Sequence, residues 1–412
     1  RERHLQQEER YQDQRAHRRE EHQPQDEQCG HGIPLSTAIT KPVSRRFQAP
    51  PNIWPMEDTA RILEDLRELV VRESPSDEAD HVSALAAWIC DRLNRGGESY
   101  ARKVPCLMRG DAVVATTGIS DTGRPSTLLL GHIDTVWPIG TLKELPFQNE
   151  GGVVRGPGVF DMKAGVAVAL HVLDRLRARP SCPRVTLLLV PDEEVGSSAS
   201  HDLLIDQARK HDRVFVLEPS AGGGAAKVAR KGTGLFRLKF KGVPSHAGLE
   251  PEKGASALTA LAEFILDATK LGSVEHGTTV TPTLASAGTK TNVVPENAEV
   301  AIDCRVWIPS EPARVERELR AWRPRDTRVR VEVEGGFDRP PLAETDASRA
   351  LFATARRIAS DLGFELRGER VGGASDGNLT AAAGVPTLDG LGPMGDGAHA
   401  RHEHVVVSDL AR

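Results

Sequence analysis

Apolar residues follow two different periods along this chain. Over 56–72 and again over 79–95 they recur at helical spacing: Ile62, Leu63, Leu66, Leu69 and Val70, then Val82, Leu85, Ala86 and Ile89. Each set predicts an amphipathic helix. Three later segments are continuous instead: Leu128–Leu130 running up to Gly131, Val185–Val190, and Val214–Leu217. Short apolar runs bounded by turn residues predict strands buried on both faces. Between them, Lys163–Arg177 carries Val166, Leu170, Leu173 and Leu176 on one side, and Leu203–Arg209 belongs to another helix. Strand, helix, strand, helix, strand is the order of a doubly wound parallel sheet.

The pattern changes near Gly232. Leu235–Lys241 alternates as a half-exposed strand, 253–270 reads as a helix (Ala257, Leu258, Leu261, Ile265), and Thr278–Ala285 and Ala298–Val306 read as strands. Glu311–Trp322 is a further helix and Val329–Val333 a further strand. That βαββαβ order predicts a ferredoxin-like α+β sandwich with antiparallel strands. After Arg339-Pro340-Pro341 the αβ pattern resumes with a helix at 346–362. The expected organisation is a leader over 1–55, a larger α/β domain in two parts (56–231 and 341–412), and a smaller domain inserted at 232–340.

Composition narrows the classes. A chain of 412 residues is too long for one ordinary core, which agrees with two domains. Residues 1–28 are rich in Gln, Glu, Arg and His and hold almost no apolar residue. They cannot bury a core, and with the mixed stretch to Pro55 they are expected to be disordered. A net charge of -5, with no basic stripe interleaved with aromatics, excludes a nucleic-acid binder. The five cysteines (Cys29, Cys90, Cys106, Cys182, Cys304) are scattered, odd in number and without a Cys-x-x-Cys pair. Neither a thiolate zinc site nor a disulfide framework is indicated, and a reducing, cytoplasmic compartment is expected. No apolar run reaches the ~18 residues of a membrane span, and no secretory h-region is visible.

Candidate chemistry gathers at the strand ends. His132 and Asp134 follow the strand at 127–131, Glu193 and Glu194 follow 185–190, and Glu218 follows 214–217. Asp161 lies in a Gly156–Lys163 turn just before a helix, and His399 lies near the end of the chain. Sites in open α/β sheets form beyond the carboxyl ends of the strands. Imidazole and carboxylate together suit zinc and similar divalent ions. Two such ions need an anionic bridge, and a further carboxylate can take a proton from water and hand it to a leaving amine. Asp134, two residues after His132, suits accepting the ring N–H and fixing its tautomer. Any one of these acids alone would read as a solvated surface group; the joint placement reads as a metal centre. His171, His201 and His211 carry no partner pattern and are expected to be structural. His402 and His404 are expected to be neighbours of the last motif rather than ligands. No His-Glu-x-x-His motif occurs.

The motifs resemble a known family. Gly131-His132-Ile133-Asp134-Thr135-Val136, Gly156-Pro157-Gly158-Val159-Phe160-Asp161-Met162-Lys163-Ala164-Gly165, Asp192-Glu193-Glu194-Val195-Gly196 and Gly397-Ala398-His399-Ala400-Arg401-His402-Glu403 look like those of the zinc carboxypeptidase and aminoacylase family, peptidase family M20. They fall in the family's order, and the likeness covers about 56–412. Trp137–Leu142 and Pro386–Gly392 are similar to the glutamate carboxypeptidase group.

The resemblance implies a phosphorylase/hydrolase-like catalytic domain with the inserted domain acting as lid and dimerisation module. It implies two divalent ions, zinc first, with cobalt and manganese as the other candidates. His132 and Glu218 would hold one ion and Glu194 and His399 the other, with Asp161 between them. Glu193 would be the general base and Asp134 would orient His132. His246, in Pro244-Ser245-His246-Ala247-Gly248, would polarise the scissile carbonyl, often across a dimer. Asn292, Arg305 and Arg339 match substrate-contacting positions, and an arginine fork suits a carboxylate. Gly373 belongs to a Gly-rich turn, Gly372–Asn378, matching one that lines the pocket. Two departures stand out: His404 occupies a position where an aromatic is usual, and a longer final helix is usual after Leu410.

The expected reaction is hydrolysis of an amide next to a free carboxylate in a small peptide, releasing a C-terminal Glu or similar residue. Hydrolysis of an N-acyl amino acid is the alternative within the same family. Two readings of other classes stay open at this point. Gly373-Ala374-Ser375-Asp376-Gly377 fits a serine-hydrolase elbow, with Asp389 and His399 following in the right order. A non-catalytic relative that binds amino-acid ligands is the other, although an intact Glu193 speaks against it.

Overall fold

The computed structural model describes residues 56–95, 100–118, 125–179 and 182–411. The expected leader over 1–55 lies outside them. In chain order, helices α1 (Met56–Val70) and α2 (Ala79–Leu93) precede strands β1 (Ala101–Cys106), β2 (Gly110–Thr117) and β3 (Thr127–His132). The short pair β4 (Gln148–Glu150) and β5 (Val153–Arg155) leads to α3 (Ala164–Arg177), β6 (Val185–Val190), α4 (His201–Arg209), β7 (Arg213–Val216) and β8 (Ala226–Arg230). The inserted segment supplies β9 (Gly232–Lys241), α5 (Ala257–Ala268), β10 (Thr279–Ala287), β11 (Asn297–Val306), α6 (Glu311–Ala321) and β12 (Arg330–Arg339). Then come α7 (Asp346–Asp361), β13 (Gly368–Val371), α8 (Asp376–Ala382), β14 (Thr387–Leu388), β15 (Gly395–Asp396) and β16 (His404–Val406).

The larger sheet runs β1-β2-β6-β3-β7-β14. Every residue of β3 and β6 is buried, because helices cover both faces. Alternate side chains go to opposite faces. Leu129, Leu187 and Leu189 join Leu66, Leu85, Ile89 and Leu170 from α1, α2 and α3. Leu128, Leu130 and Leu188 join Leu204 of α4 and Leu379 of α8. The strands expected to form a parallel sheet do so, and an unforeseen antiparallel pair extends one edge. β6, β3, β7 and β14 are parallel, but β1 pairs β2 and β2 pairs β6 antiparallel. Three residues separate β1 from β2, enough for a hairpin and far too few for a parallel crossover.

The inserted segment forms its own antiparallel sheet, ordered β10-β11-β9-β12, which is the ferredoxin-like order. Its core is separate: Phe236, Leu238 and Phe240 from β9 and Val300 and Ile302 from β11 meet Phe264 of α5 and Leu319 of α6. Trp322 packs edge-on against Phe264 with centroids 5.1 Å apart. β12 runs six residues further than the expected Val333, to Arg339, whose side chain meets Glu193 just beyond β6. There the two connections lie side by side. The backbones of Arg230 and Leu342 exchange two hydrogen bonds of 3.1 Å. Buried Asn378 donates to the carbonyls of both Lys231 (3.0 Å) and Pro340 (2.8 Å). Position 232 must be glycine, since a Cβ there would stand 2.7 Å from the Arg339 carbonyl oxygen.

Candidate metal centre

Parallel register brings the candidate ligands to one level. Leu130 of β3 lies beside Leu188 of β6 and Val216 of β7. The chain therefore leaves all three strands at the same rim, delivering His132, Glu193-Glu194 and Glu218 together. The ring of His132 is 1% exposed, and its Nδ1 lies 3.0 Å from the Asp134 carbonyl oxygen. A carbonyl only accepts, so Nδ1 carries the proton and Nε2 faces the site. Nε2 is 3.1 Å from Asp161 Oδ1 and 3.5 Å from Glu218 Oε1.

Asp134 orients the ring mainly through its backbone, with its carboxylate 3.4 Å from Nδ1. That carboxylate is engaged elsewhere. It accepts the backbone N–H groups of Glu193 and Glu194, both at 3.1 Å, and the Ser76 hydroxyl at 2.6 Å. One side chain thus locks the histidine loop to the acid pair.

Asp161 sits between the two histidines. Its Oδ1 faces His132, and its Oδ2 is 3.4 Å from His399 Nε2. Its loop is fixed by Glu403, a buried carboxylate that accepts the N–H groups of Gly158, Phe160 and Asp161 (2.9, 2.9 and 3.0 Å) and the Trp137 indole (2.8 Å). His399 has φ of 61°, in the left-handed region that few side-chain-bearing residues adopt. In that turn its Nε2 reaches Glu194 Oε2 at 3.0 Å. Ligand atoms of His132, Asp161 and Glu194, and those of His132, Glu193 and Glu218, lie within 4.8 Å of one another.

The charges fit a cation site. Asp161, Glu193, Glu194 and Glu218 are four carboxylates in one largely buried space. Burial pushes Glu193 well above the usual carboxylate range and Glu194 upward as well. For Asp161, burial acts upward, and the hydrogen bonds from His132 and His399 outweigh it and hold the group far below its ordinary value. Burial and Asp161 push Glu218 up, while His132, Arg230 and Lys227 together leave it lowered. Burial acts downward on His132, but Asp134, Asp161 and Glu218 hold its proton affinity well above normal. His399 is pushed up to about 10 by its hydrogen bonds to Asp161 and Glu194. Protons on two imidazoles compensate a crowd of acids, a task that suits divalent cations equally well.

Three further groups were not assigned from sequence. Arg230 pairs with Glu218 at 3.2 Å, Asp376 pairs with Arg339 at 3.1 Å, and Glu403 holds the Asp161 loop. Glu403 lies four residues after His399 in a motif already noted, which was its available signal. The other two are ion pairs between distant segments, with no local pattern.

The expected substrate residues fare differently. Arg339 turns inward: its Nη2 donates to the Glu193 carbonyl and Ser197 Oγ, both at 3.0 Å, and forms an ion pair with Glu193 Oε1 at 3.0 Å. Its Nε is buried without a partner among the described residues. Arg305 gives its fork to Asp303 at 2.8 Å on both arms, so in this state it acts structurally. His246 and Asn292 lie together, with Ala247 N–H donating to the Asn292 carbonyl at 3.0 Å. Among the described residues no hydrogen bond or ion pair joins either of them to the acid cluster. Gly373 offers its carbonyl to Arg230 at 3.2 Å. Ser375 is 1% exposed, caps α8 and donates to Asp389 at 2.6 Å. His399 faces Glu194 and Asp161 instead, so the serine-hydrolase arrangement is not formed. An apolar cavity of about 370 Å³ beside α7 contains none of the site residues.

A rim of imidazoles and carboxylates at the strand ends of an α/β sheet, with one buried acid standing beside it, is the arrangement of a hydrolase. The chain belongs to peptidase family M20/M25/M40, whose model matches residues 128–412. It is 30% identical over 367 residues to carboxypeptidase G2 of Pseudomonas sp. (strain RS-16), covering 86% of this chain and 87% of that protein. It is 28% identical over 383 residues to a succinyl-diaminopimelate desuccinylase of Verminephrobacter eiseniae (strain EF01-2), covering 85% and 93%. Aminopeptidase PepT from Bacillus cereus ATCC 10987 shares the fold with a TM-score of 0.73 at 21% identity, over 86% of this chain and 95% of that one. The M20 family metallo-carboxypeptidase Sso-CP2 from Sulfolobus solfataricus does so with a TM-score of 0.63 at 17% identity, over 85% and 96%.

Proposed function

We propose that this chain is a dinuclear metal-dependent hydrolase that cleaves an amide next to a free carboxylate. The observation that carries the reading is Asp161, which turns one oxygen to His132 and the other to His399. Glu218 flanks the first histidine and Glu194 the second. His132 with Glu218, and His399 with Glu194, would each hold one ion, with Asp161 shared. When bound, two divalent ions, zinc first and cobalt or manganese as alternatives, supply Lewis acidity toward a carbonyl and make water a nucleophile near neutral pH.

Glu193 is the base. It is buried beside the cluster, and its carboxylate takes the proton of the attacking water and returns it to the leaving amine. Arg339, Ser197 and Asp376 keep Glu193 in place. Arg339 is also proposed to hold a substrate carboxylate, the anion that a guanidinium fork suits. His246 accepts the backbone N–H groups of Gly248 and Leu249 on Nδ1, both at 3.1 Å. Its Nε2 therefore bears the proton, as a donor to a developing oxyanion requires. Residues 56–231 and 341–412 form the catalytic domain; 232–340 act as lid and dimerisation domain, bringing His246 and Asn292 to the site by closure or from a second copy.

The substrate is a small peptide, with C-terminal Glu or a similar residue released. A second reading, an N-acyl-amino-acid amidohydrolase, is supported by the desuccinylase among the relatives. Metal content per chain, paired with hydrolysis of an N-acyl-glutamate panel before and after chelation, tests both. About two ions and chelator-sensitive release are expected, and the panel ranks peptide against acyl substrates. No metal, with activity that ignores the chelator, would sink the proposal. Glu193→Ala is expected to keep its metal and lose about 10²-fold or more in turnover. An active variant would remove Glu193 as base.

A further inference from the structure

Arg230 stands at the end of β8, two residues before the inserted sheet begins. It is 3% exposed, and each of its three guanidinium nitrogens is engaged. Nε and Nη2 grip the two oxygens of Asp389 at 2.7 and 2.9 Å. Nη1 donates to the carbonyls of Gly373 and Ala374 at 3.2 and 3.3 Å. The remaining contact is Nη2 to Glu218 Oε2 at 3.2 Å. Glu218 thus has one oxygen held from behind while the other, Oε1, faces His132 Nε2 at 3.5 Å.

A buried guanidinium beside a cation site would ordinarily repel the ion. Here Asp389, itself 0% exposed, neutralises it. Asp389 is further tied by the Ser375 hydroxyl at 2.6 Å and by the Gly390 N–H. The Arg230–Asp389 pair carries no net charge, and its contact with Glu218 fixes the orientation of that carboxylate, as outer partners of metal ligands commonly do. Among the described residues the other half of the centre has no such arginine–carboxylate pair behind it. Glu194 pairs with His399, and among the described residues no arginine pairs with it.

We propose that Arg230 is the positioning residue of Glu218, and that it sets divalent-metal affinity at the His132/Glu218 half of the centre without affecting the Glu194/His399 half. The proposal rests on the metal-centre reading above. It also links that half to the inserted segment, because the Arg230 backbone is hydrogen-bonded to Leu342, where the chain returns. Movement at the paired connections moves the group that aims Glu218.

Stepwise zinc titration of the metal-stripped full chain against a chromophoric chelator tests it. The wild type is expected to take up two ions. Arg230→Met is expected to weaken one step about 10- to 100-fold and leave the other near the wild-type value. Arg230→Lys keeps the charge without the fork and is expected to weaken the same step, giving a second reading should the Met variant fail to fold. Glu218→Gln identifies the step, and combining it with Arg230→Lys is expected to add little more, since the two groups act together. Equal weakening of both steps, or two unchanged steps in a folded variant, would overturn the proposal. A wild type that binds no zinc would overturn the metal-centre reading itself, a result distinguishable from the others.

Discussion

Proton affinity at His399 ties metal binding to pH. The ring is pushed up to about 10 by Asp161 and Glu194 in the ion-free protein. At pH 7 it therefore carries a proton that a coordinating ion must displace. Zinc affinity is expected to rise with pH toward 10, and binding at pH 7 to release protons. Calorimetry in buffers of differing ionisation enthalpy counts them, and zero release would take His399 out of the coordination. Stability of the ion-free protein has the opposite slope. A folded-state value raised above the ordinary ~6.5 contributes stability that is full below 6.5 and is lost as pH rises through 10. At this scale the sequence was most readable. His132, Asp134, Glu193, Glu194 and Glu218 could be singled out because each follows a buried apolar run, and the structure brings them to one rim. Arg230 and Asp376 were not, because their partners Asp389 and Arg339 lie 159 and 37 residues away and leave no periodic trace.

Among the elements, the loop between β5 and α3 has an exacting task. It must present Asp161 between two histidines, and Glu403 supplies acceptors to three of its N–H groups. Glu403→Ala would strand those donors and the Trp137 indole in a buried space, at about 1–3 kcal/mol for each unsatisfied group. A total loss of about 3 kcal/mol or more is expected from urea unfolding of the ion-free protein. Less than 1 kcal/mol would mean that water or a loop shift replaces the carboxylate. The same contrast governs which elements could be foreseen. β3 and β6 are fully buried, mainly apolar runs and were plain. β1 reads Ala-Arg-Lys-Val-Pro-Cys and buries only its two ends, so its pairing was invisible. β14 has two residues, too few for any pattern.

At the scale of the whole molecule, two sheets with separate cores meet where the chain crosses at Arg230–Gly232 and Arg339–Leu342, and Arg370 of β13 lies over the Trp307 ring of the inserted segment at 4.8 Å. His246 and Asn292 belong to the inserted segment, and no hydrogen bond or ion pair among the described residues joins them to the acid cluster. If His246 serves the site of a second copy, mixing two inactive variants, Glu193→Ala and His246→Ala, is expected to restore part of the activity. In such a hybrid dimer one site has both an intact base and an intact partner histidine. Continued inactivity of mixed samples that sedimentation shows to exchange subunits would leave closure within one chain as the mechanism. No described helix is long and apolar enough to cross a membrane.

The paired backbones of Arg230 and Leu342 have a consequence for how such a protein can change over time. A segment whose two ends lie side by side adds little strain to the host, whatever its length, because closing that loop is nearly independent of what fills it. Residues 232–340 are in that sense a cassette. Its outer strands can lengthen, its helices can alter and its exposed residues can turn over while β3, β6 and β7 keep their register and the rim keeps its acids and histidines. On the proposed function, diversification of what the protein cleaves would proceed in one module, with the hydrolytic chemistry inherited intact in the other.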